Sequence, residues 1–384
     1  MEKKLTQKKA VGVEGFVCII VMVGFLGYMG NAMGSINMIN TFMNTAHDLL
    51  LNTVFFIMGI AVLAGAFASI LSEFGVVAII NKVLSPFMKP IYGLPGASAL
   101  GIVTTYLSDN PAVITLANDE GFKKYFKTYQ LPALTNLGTS FGMGLVVSAF
   151  MIAQSSIAGE SLILPTVIGN IGAFIGSVVS VNIMIRFTKK AYDPSKEIVE
   201  ERDESKSIEM RDVREGSVSG RLLEASLEGG KSGVKLGLDI IPGVLIICTM
   251  VMLLTNGPTN GEYTGAAYEG VGLLPFLGDK ISFILRPLFG FENSAALAFP
   301  ITSLGAVGAA ISLVPQLLRE GLIGRNEIAV FTAMGMCWSG YLSTHVAMMD
   351  SLRFRELTGK AIFSHTIGGI AAGISANLIF KLIG

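Results

Sequence analysis

Apolar residues fall along this chain in seven runs long enough to cross a bilayer as helices: Gly15–Met33, Leu49–Ser72, Tyr129–Ala153, Leu162–Phe187, Leu236–Thr255, Asn326–Val346 and Ala361–Ile383. About 20 such residues span the hydrocarbon core. Two further runs, Gly93–Phe122 and Asn293–Leu318, are interrupted. The first opens as GLPGASALGIVTTYL, halts at Ser108, Asp109, Asn110 and Pro111, and resumes as AVITLAN. Neither half crosses alone. An acid and a proline sit where an unbroken helix would be deepest, and irregular backbone survives at that depth only when buried in protein or lining a wet cavity. The pattern predicts a re-entrant helical hairpin. The second run breaks around FPITSLGAVGAA and predicts another. Before each lies an amphipathic piece, VVAIINKVLSPFMKPIYG and KISFILRPLFGF, suited to a helix lying in the interface.

Composition agrees with this pattern. The 384 residues are 51% hydrophobic and 15% charged, with 45 glycines, and the mean hydropathy is +0.62. That is too apolar for a soluble enzyme of this size and indicates a polytopic membrane protein. A formal net charge of zero gives no footprint for nucleic acid. Cys18, Cys248 and Cys337 lie in apolar segments without CxxC spacing, so neither a disulfide framework nor a zinc site is indicated. The basic N-terminus with its apolar run resembles a signal peptide, but Glu14 and the lack of a cleavage site favour a retained first span.

Cytoplasmic loops carry the excess of Lys and Arg. With the N-terminus inside an inner (cytoplasmic) membrane and both hairpins returning to their own side, all but Lys280, Arg286, Arg319, Arg325 and Lys381 of the 28 cations fall inside. The 256–279 loop, expected outside, has none. The stretch Thr188–Lys235 includes KEIVEERDESKSIEMRDVREGSVSGR and reads as a charged cytoplasmic linker. The chain therefore divides into an extra first helix with an external loop (1–48), a first membrane half (49–187), the linker (188–235) and a second half (236–384).

Those halves repeat. A shift of 197 residues aligns Ala99 and Leu100 with Ala296 and Leu297, Thr105 with Thr302, Ala112 with Ala309, Ile114 with Ile311, Leu116 with Leu313, Thr135 with Thr332, and Gly138 with Gly335. Each half reads span, interfacial helix, interrupted hairpin, span, span. Three crossings separate the hairpins, so the second is upside down relative to the first. The expected fold is all-α, with two inverted-topology repeats, an architecture in which paired interrupted segments mark a secondary transporter's binding site.

The segment EASLEGGKSGVKLGLDIIPGVLIICTMVMLL resembles the start of the second repeat in the nucleoside-recognition (Gate) membrane proteins and, more distantly, in the concentrative nucleoside transporters. The resemblance covers Leu49–Ile383. It implies two hairpins meeting back to back, each followed by a helix lining the site, and transport coupled to Na⁺ or H⁺. Where nucleoside carriers have a glutamine, threonine and glutamate cluster in the first hairpin, this chain has Ser108, Asp109 and Asn110. The candidate substrates are therefore a nucleoside, base, amino acid or peptide-like solute.

Residues that a bilayer would otherwise exclude carry the candidate chemistry. Asp109 either holds a cation, proton or substrate amine, or caps the second half of the hairpin. Asn110 adds an amide, and Thr104, Thr105, Thr302 and Ser303 add hydroxyls near the breaks. After the hairpins, TNLGTSFG offers Thr135, Asn136, Thr139 and Ser140, and TAMGMCWSG offers Thr332, Trp338 and Ser339. These either coordinate an ion or ligand or glue helices together. Phe141 and Trp338 occupy equivalent positions, as packing residues or a gate. His345, near Asp350, Arg353 and Arg355, is either a gate or an interfacial histidine. GTSFG also fits the nucleophile elbow GxSxG around Ser140, but that motif needs a strand, a sharp turn and a helix. An intramembrane hydrolase and a non-transporting channel or assembly protein are thus the alternatives to a transporter. No cofactor is expected beyond a coupling ion. The expected partners are a small solute, the lipid bilayer and further copies of the chain.

Overall fold

The computed structural model describes residues 10–110, 112–118, 122, 125–196, 198, 213–258 and 261–384. It is built of helices: α1 (Val13–Met33), α2 (Ser35–Glu73), α3 (Val76–Tyr92), α4 (Ser98–Leu107), α5 (Ala112–Asn118), α6 (Ala133–Thr139), α7 (Gly144–Ala153), α8 (Ile163–Ala191) and α9 (Val218–Thr255). In the second half follow α10 (Leu273–Lys280), α11 (Ser282–Phe289), α12 (Ala298–Gly305), α13 (Val307–Arg319), α14 (Arg325–Cys337), α15 (Tyr341–Ser351) and α16 (Thr358–Ile383). Six helical stretches among the described residues are long and apolar enough to cross a membrane. The span expected at Asn326–Val346 is not among them; the chain breaks there between α14 and α15.

Two helices are far longer than their apolar runs. At 1.5 Å per residue, the 39 residues of α2 extend about 58 Å, well beyond a hydrocarbon core of about 30 Å. Residues 35–48, expected as an external loop, form its outer part. Their polar side chains hold a neighbouring loop: Asn37 donates to the Tyr263 carbonyl at 2.9 Å and Asn44 to that of Gly265 at 2.8 Å. Thr45 accepts the Tyr268 amide at 2.8 Å. At the other end of the molecule, residues 218–235, expected within the linker, form the start of α9. Arg214, just before it, pairs with both Glu73 and Glu228, and Arg221 reaches Glu73 at 2.8 Å. This end of the linker is docked on the helices. Residues 199–212, its middle, lie outside the described residues.

Helices α2 and α9 pack antiparallel across three glycines of α9, with Gly65 on Gly229, Ala61 on Gly233 and Met58 on Gly237. Each also widens into a π-bulge, at Leu49–Val54 and Val244–Cys248, and the bulges touch. Helices α8 and α16 form a second antiparallel pair, Gly172 on Ala376, Gly176 on Ala372 and Ser180 on Gly368.

The 197-residue periodicity extends from letters to geometry. Helix α3 corresponds to α10 plus α11, α4 to α12, α6 to α14, α7 to α15 and α8 to α16. Left-handed turns recur at the same offset: Gly75 and Gly272 (φ 78° and 61°), Gly93 and Gly290 (68° and 72°), and Met143 and Gly340 (54° and 64°). Methionine adopts this conformation rarely, so its presence at 143 marks a break fixed by the surrounding packing. Helix α5 folds back along α4, bringing Val113 against Gly101, and α13 likewise packs on α12. Helix α3 leaves Ile79, Val83 and Phe87 exposed along one side, as an interfacial helix would.

Candidate functional site

The breaks after α4 and α12 each rest on another helix break. The chain leaves helical geometry at Ser108 (φ −134°, ψ −114°), and the Asn110 side chain, only 2% exposed, donates to the Ser339 carbonyl at 2.6 Å. Gly142 lies directly against that same amide, where any Cβ would collide with it. From the second hairpin, the Ser303 carbonyl accepts the Gly340 amide at 3.0 Å. The breaks after α4, α6, α12 and α14 are thereby linked. At their junction the Asn110 Oδ1 is buried without a hydrogen-bond partner. Pro111 itself is outside the described residues.

Beside this junction lies a cavity of about 490 Å³, lined by Ser108 and Asp109 from the first tip and by Lys235 and Asp239 from α9. Arg214 and Glu228 stand at its linker end. Asp109 accepts the amide of Asn110 at 2.7 Å, the next residue along, while its backbone carbonyl takes the Ala112 amide that opens α5. Asp239 and Lys235 were not singled out in the sequence. Asp239 was open to detection as an acid inside the run Leu236–Thr255; Lys235 fell just outside that run and read as a linker cation.

Most of the other hydroxyls serve their own helices. Thr104, Thr105, Thr139, Ser140, Thr302 and Thr332 each donate to the carbonyl four residues earlier, and Ser303 to that of Pro300. Such bonds satisfy a hydroxyl without committing it to another segment. Ser140 thus donates to the Asn136 carbonyl at a helix end, both ring nitrogens of His365 and Nδ1 of His345 bond groups other than Ser140, and no histidine is hydrogen-bonded to that hydroxyl among the described residues, so the arrangement does not favour a hydrolase.

Asn136 is different. Its amide donates to Ser180 and to the Ala361 carbonyl, both at 3.0 Å, and its oxygen accepts from Thr135. Ser180 in turn bonds His365, which reaches the Cys337 carbonyl. This chain of bonds ties α6, α8, α14 and α16 together in a fully buried setting. Asn136→Ala should lower stability by about 2 kcal/mol, because it strands two buried partners, whereas Thr332→Val should cost well under about 1 kcal/mol. Thermal unfolding of the purified protein in detergent checks both.

His345 is fully buried, its ring 4.7 Å from that of His365, with Nδ1 3.1 Å from the Tyr341 carbonyl. It is therefore not in a solvated interfacial setting. His365, between Ser364 and Thr366 on α16, was not singled out in the sequence and completes this cluster. Trp338 stacks on Tyr341 at 6.2 Å, and Phe141 is buried among first-hairpin residues, so the two equivalent aromatics sit in different apolar clusters.

Residues 54–181 match the Gate family, described as nucleoside recognition. A curated relative, the uncharacterized protein YjiH of Escherichia coli K12, is 21% identical over 156 residues, which are 41% of this chain and 58% of that protein. The chain thus spans less than two thirds of the relative it matches. Among solved structures, a CNTnw double variant in an outward-facing state is 14% identical with a TM-score of 0.51, covering 98% of this chain and 94% of that one. The chain therefore carries a Gate nucleoside-recognition match in its first membrane half and shares, along nearly its whole length, the helical fold of the concentrative nucleoside transporters.

Proposed function

We propose that this protein is a secondary active transporter of a small polar organic solute, working by alternating access and coupled to Na⁺ or H⁺. The observation that carries this reading is the junction of two hairpin tips with two helix breaks, beside a cavity containing Asp109. Interrupted helices near the midplane are where transporters of this architecture bind substrate and ion. The pairing of α8 with α16, each antiparallel to its own counterpart at the 197-residue offset, supports an inverted repeat. A volume of about 490 Å³ suits one small solute.

In this reading Asp109 and Asp239 receive hydrogen-bond donors or an amine of the solute, and Asn110 Oδ1 is a coupling-ion ligand. An unpaired buried oxygen costs free energy that a bound cation would remove. The Gate description puts nucleosides first among candidates, followed by bases, amino acids and dipeptides. The cavity opens toward Arg214, hence toward the cytoplasm if the linker lies there. Uptake of radiolabelled solutes into proteoliposomes, with an imposed Na⁺ or pH gradient, tests the proposal. Accumulation of at least one solute above the gradient-free level is expected, and ungated leakage with either gradient would point to a channel instead.

A further inference from the structure

A second polar cavity, of about 570 Å³, lies at the other end of α9, between Thr255–Pro258, Tyr268 and the end of the second hairpin at Gln316 and Glu320. Its wall has an unusual balance of groups. The side-chain amides of Asn256 and Gln316 both donate to one oxygen of Glu320, the Asn256 bond being 3.2 Å. The Thr255 hydroxyl is spent on the Val251 carbonyl and the Tyr268 hydroxyl on Asp48. These donors are therefore used inside the protein. The side chain of Asn293 also lines the wall, its oxygen accepting the Ala295 amide; the acceptor left beside Glu320 is at Asn256. Asn256 is only 8% exposed, and its Oδ1 has no hydrogen-bond partner. Among the described residues no Lys or Arg pairs with Glu320; neighbouring Arg319 bonds Gln316 instead.

The orientation of the Asn256 amide follows from chemistry. Turning its oxygen toward the Glu320 carboxylate would set acceptor against acceptor, so the amide nitrogen faces Glu320 and Oδ1 is the orphan. Partial desolvation also pushes the carboxyl of Glu320, itself exposed on the cavity wall, above its ordinary range. Tyr268 holds a left-handed backbone (φ 68°) at this wall, a conformation that costs energy and clusters at ligand sites.

We propose that this cavity is a binding site for a compact monovalent cation, either a metal ion or a small protonated amine, held between Glu320 and Asn256. A single carboxylate with an uncharged oxygen beside it matches one positive charge. The site is separate from the Asp109 junction, and its occupancy does not depend on the chain being a transporter.

Gly257 lines the same cavity with open space around it, so a cysteine there reports locally. In a Cys18→Ser background, Gly257→Cys in the purified full chain is labelled with a maleimide in Na⁺, K⁺, methylammonium or N-methylglucamine chloride. Labelling should slow about threefold when the bound cation is at twice its Kd. Slowing by Na⁺ or K⁺ alone assigns a metal cation, and slowing by methylammonium as well assigns the shared ammonium chemistry. The effect should vanish in Glu320→Gln and persist in Asp109→Asn. Equal rates in all four salts, or the same slowing in Glu320→Gln, would overturn the proposal. Should Glu320→Gln not purify, Asn256→Ser with the same readout replaces it.

Discussion

Asp109→Asn should abolish gradient-driven uptake while leaving the melting temperature of the purified protein nearly unchanged. The substitution keeps the size of the side chain, and an asparagine oxygen can still accept the Asn110 amide that Asp109 holds at 2.7 Å. What it removes is charge, at the tip of the first hairpin, in a cavity shared with Asp239. A loss of about tenfold or more is the outcome for an interaction worth at least about 1.4 kcal/mol in the transport cycle. Asp239→Asn should give a smaller loss, because Asp239 is more exposed on α9 than Asp109 is at its helix break. Uptake and melting curves for the two variants decide between the alternatives left open by the sequence. If Asp109 only shapes the hairpin, Asp109→Asn will transport at the wild-type rate, and Asp109→Ala will cost about 1 kcal/mol of stability.

The break after α4 was legible because it is chemically loud: a serine, an acid, an amide and a proline interrupt an apolar run. The two breaks that meet it were not. GTSFGMG and CWSGY contain no charge or proline, and they sit inside runs whose mean apolarity reads as continuous helix. Only backbone geometry reveals that Met143 and Gly340 turn left-handed, and at 143 a methionine stands where the rule would ask for glycine. The extension of α2 back to Ser35 was hidden for the opposite reason. Asn37, Thr41, Asn44 and Thr45 look like loop residues until the 261–270 segment supplies their partners.

The linker shows the same limit of local reading. Its charge predicts a solvated tether, and Arg214 and Arg221 do carry charge, but both spend it on Glu73 at the end of α2. A deletion from Glu197 to Gly216 therefore removes a docked contact as well as the segment outside the described residues. Among the candidate ligands, sequence identity alone could not separate Asn136 from Asn110. Both are asparagines near a break. One has all its hydrogen-bonding groups engaged by three helices, and the other keeps an oxygen free, which is why the first is expected to govern stability and the second ion dependence.

The largest expected effect on folding is at Gly229. A Cβ there would overlap the Gly65 carbonyl, and one on Gly65 would overlap the Gly229 carbonyl, so two backbones touch with no flexible side chain between them. Gly229→Val can be accommodated only if α2 and α9 separate, which also unseats Ala61 from Gly233 and Met58 from Gly237. Overpacking in a core that can shift typically costs about 1–3 kcal/mol; this contact cannot yield locally, so about 3 kcal/mol or failure to recover folded protein is expected. Gly24→Val, on α1 with open space around it, should melt as wild type and controls for the added hydrophobicity. Because Gly65, Gly229 and Gly233 also line the cavity that holds Asp109 and Asp239, Gly229→Ala, whose Cβ meets the same carbonyl, should also push the helices apart, by less than valine does, and should alter uptake by the protein that folds. A Gly229→Val protein that purifies and melts like wild type would show that this helix pair is not packed as described.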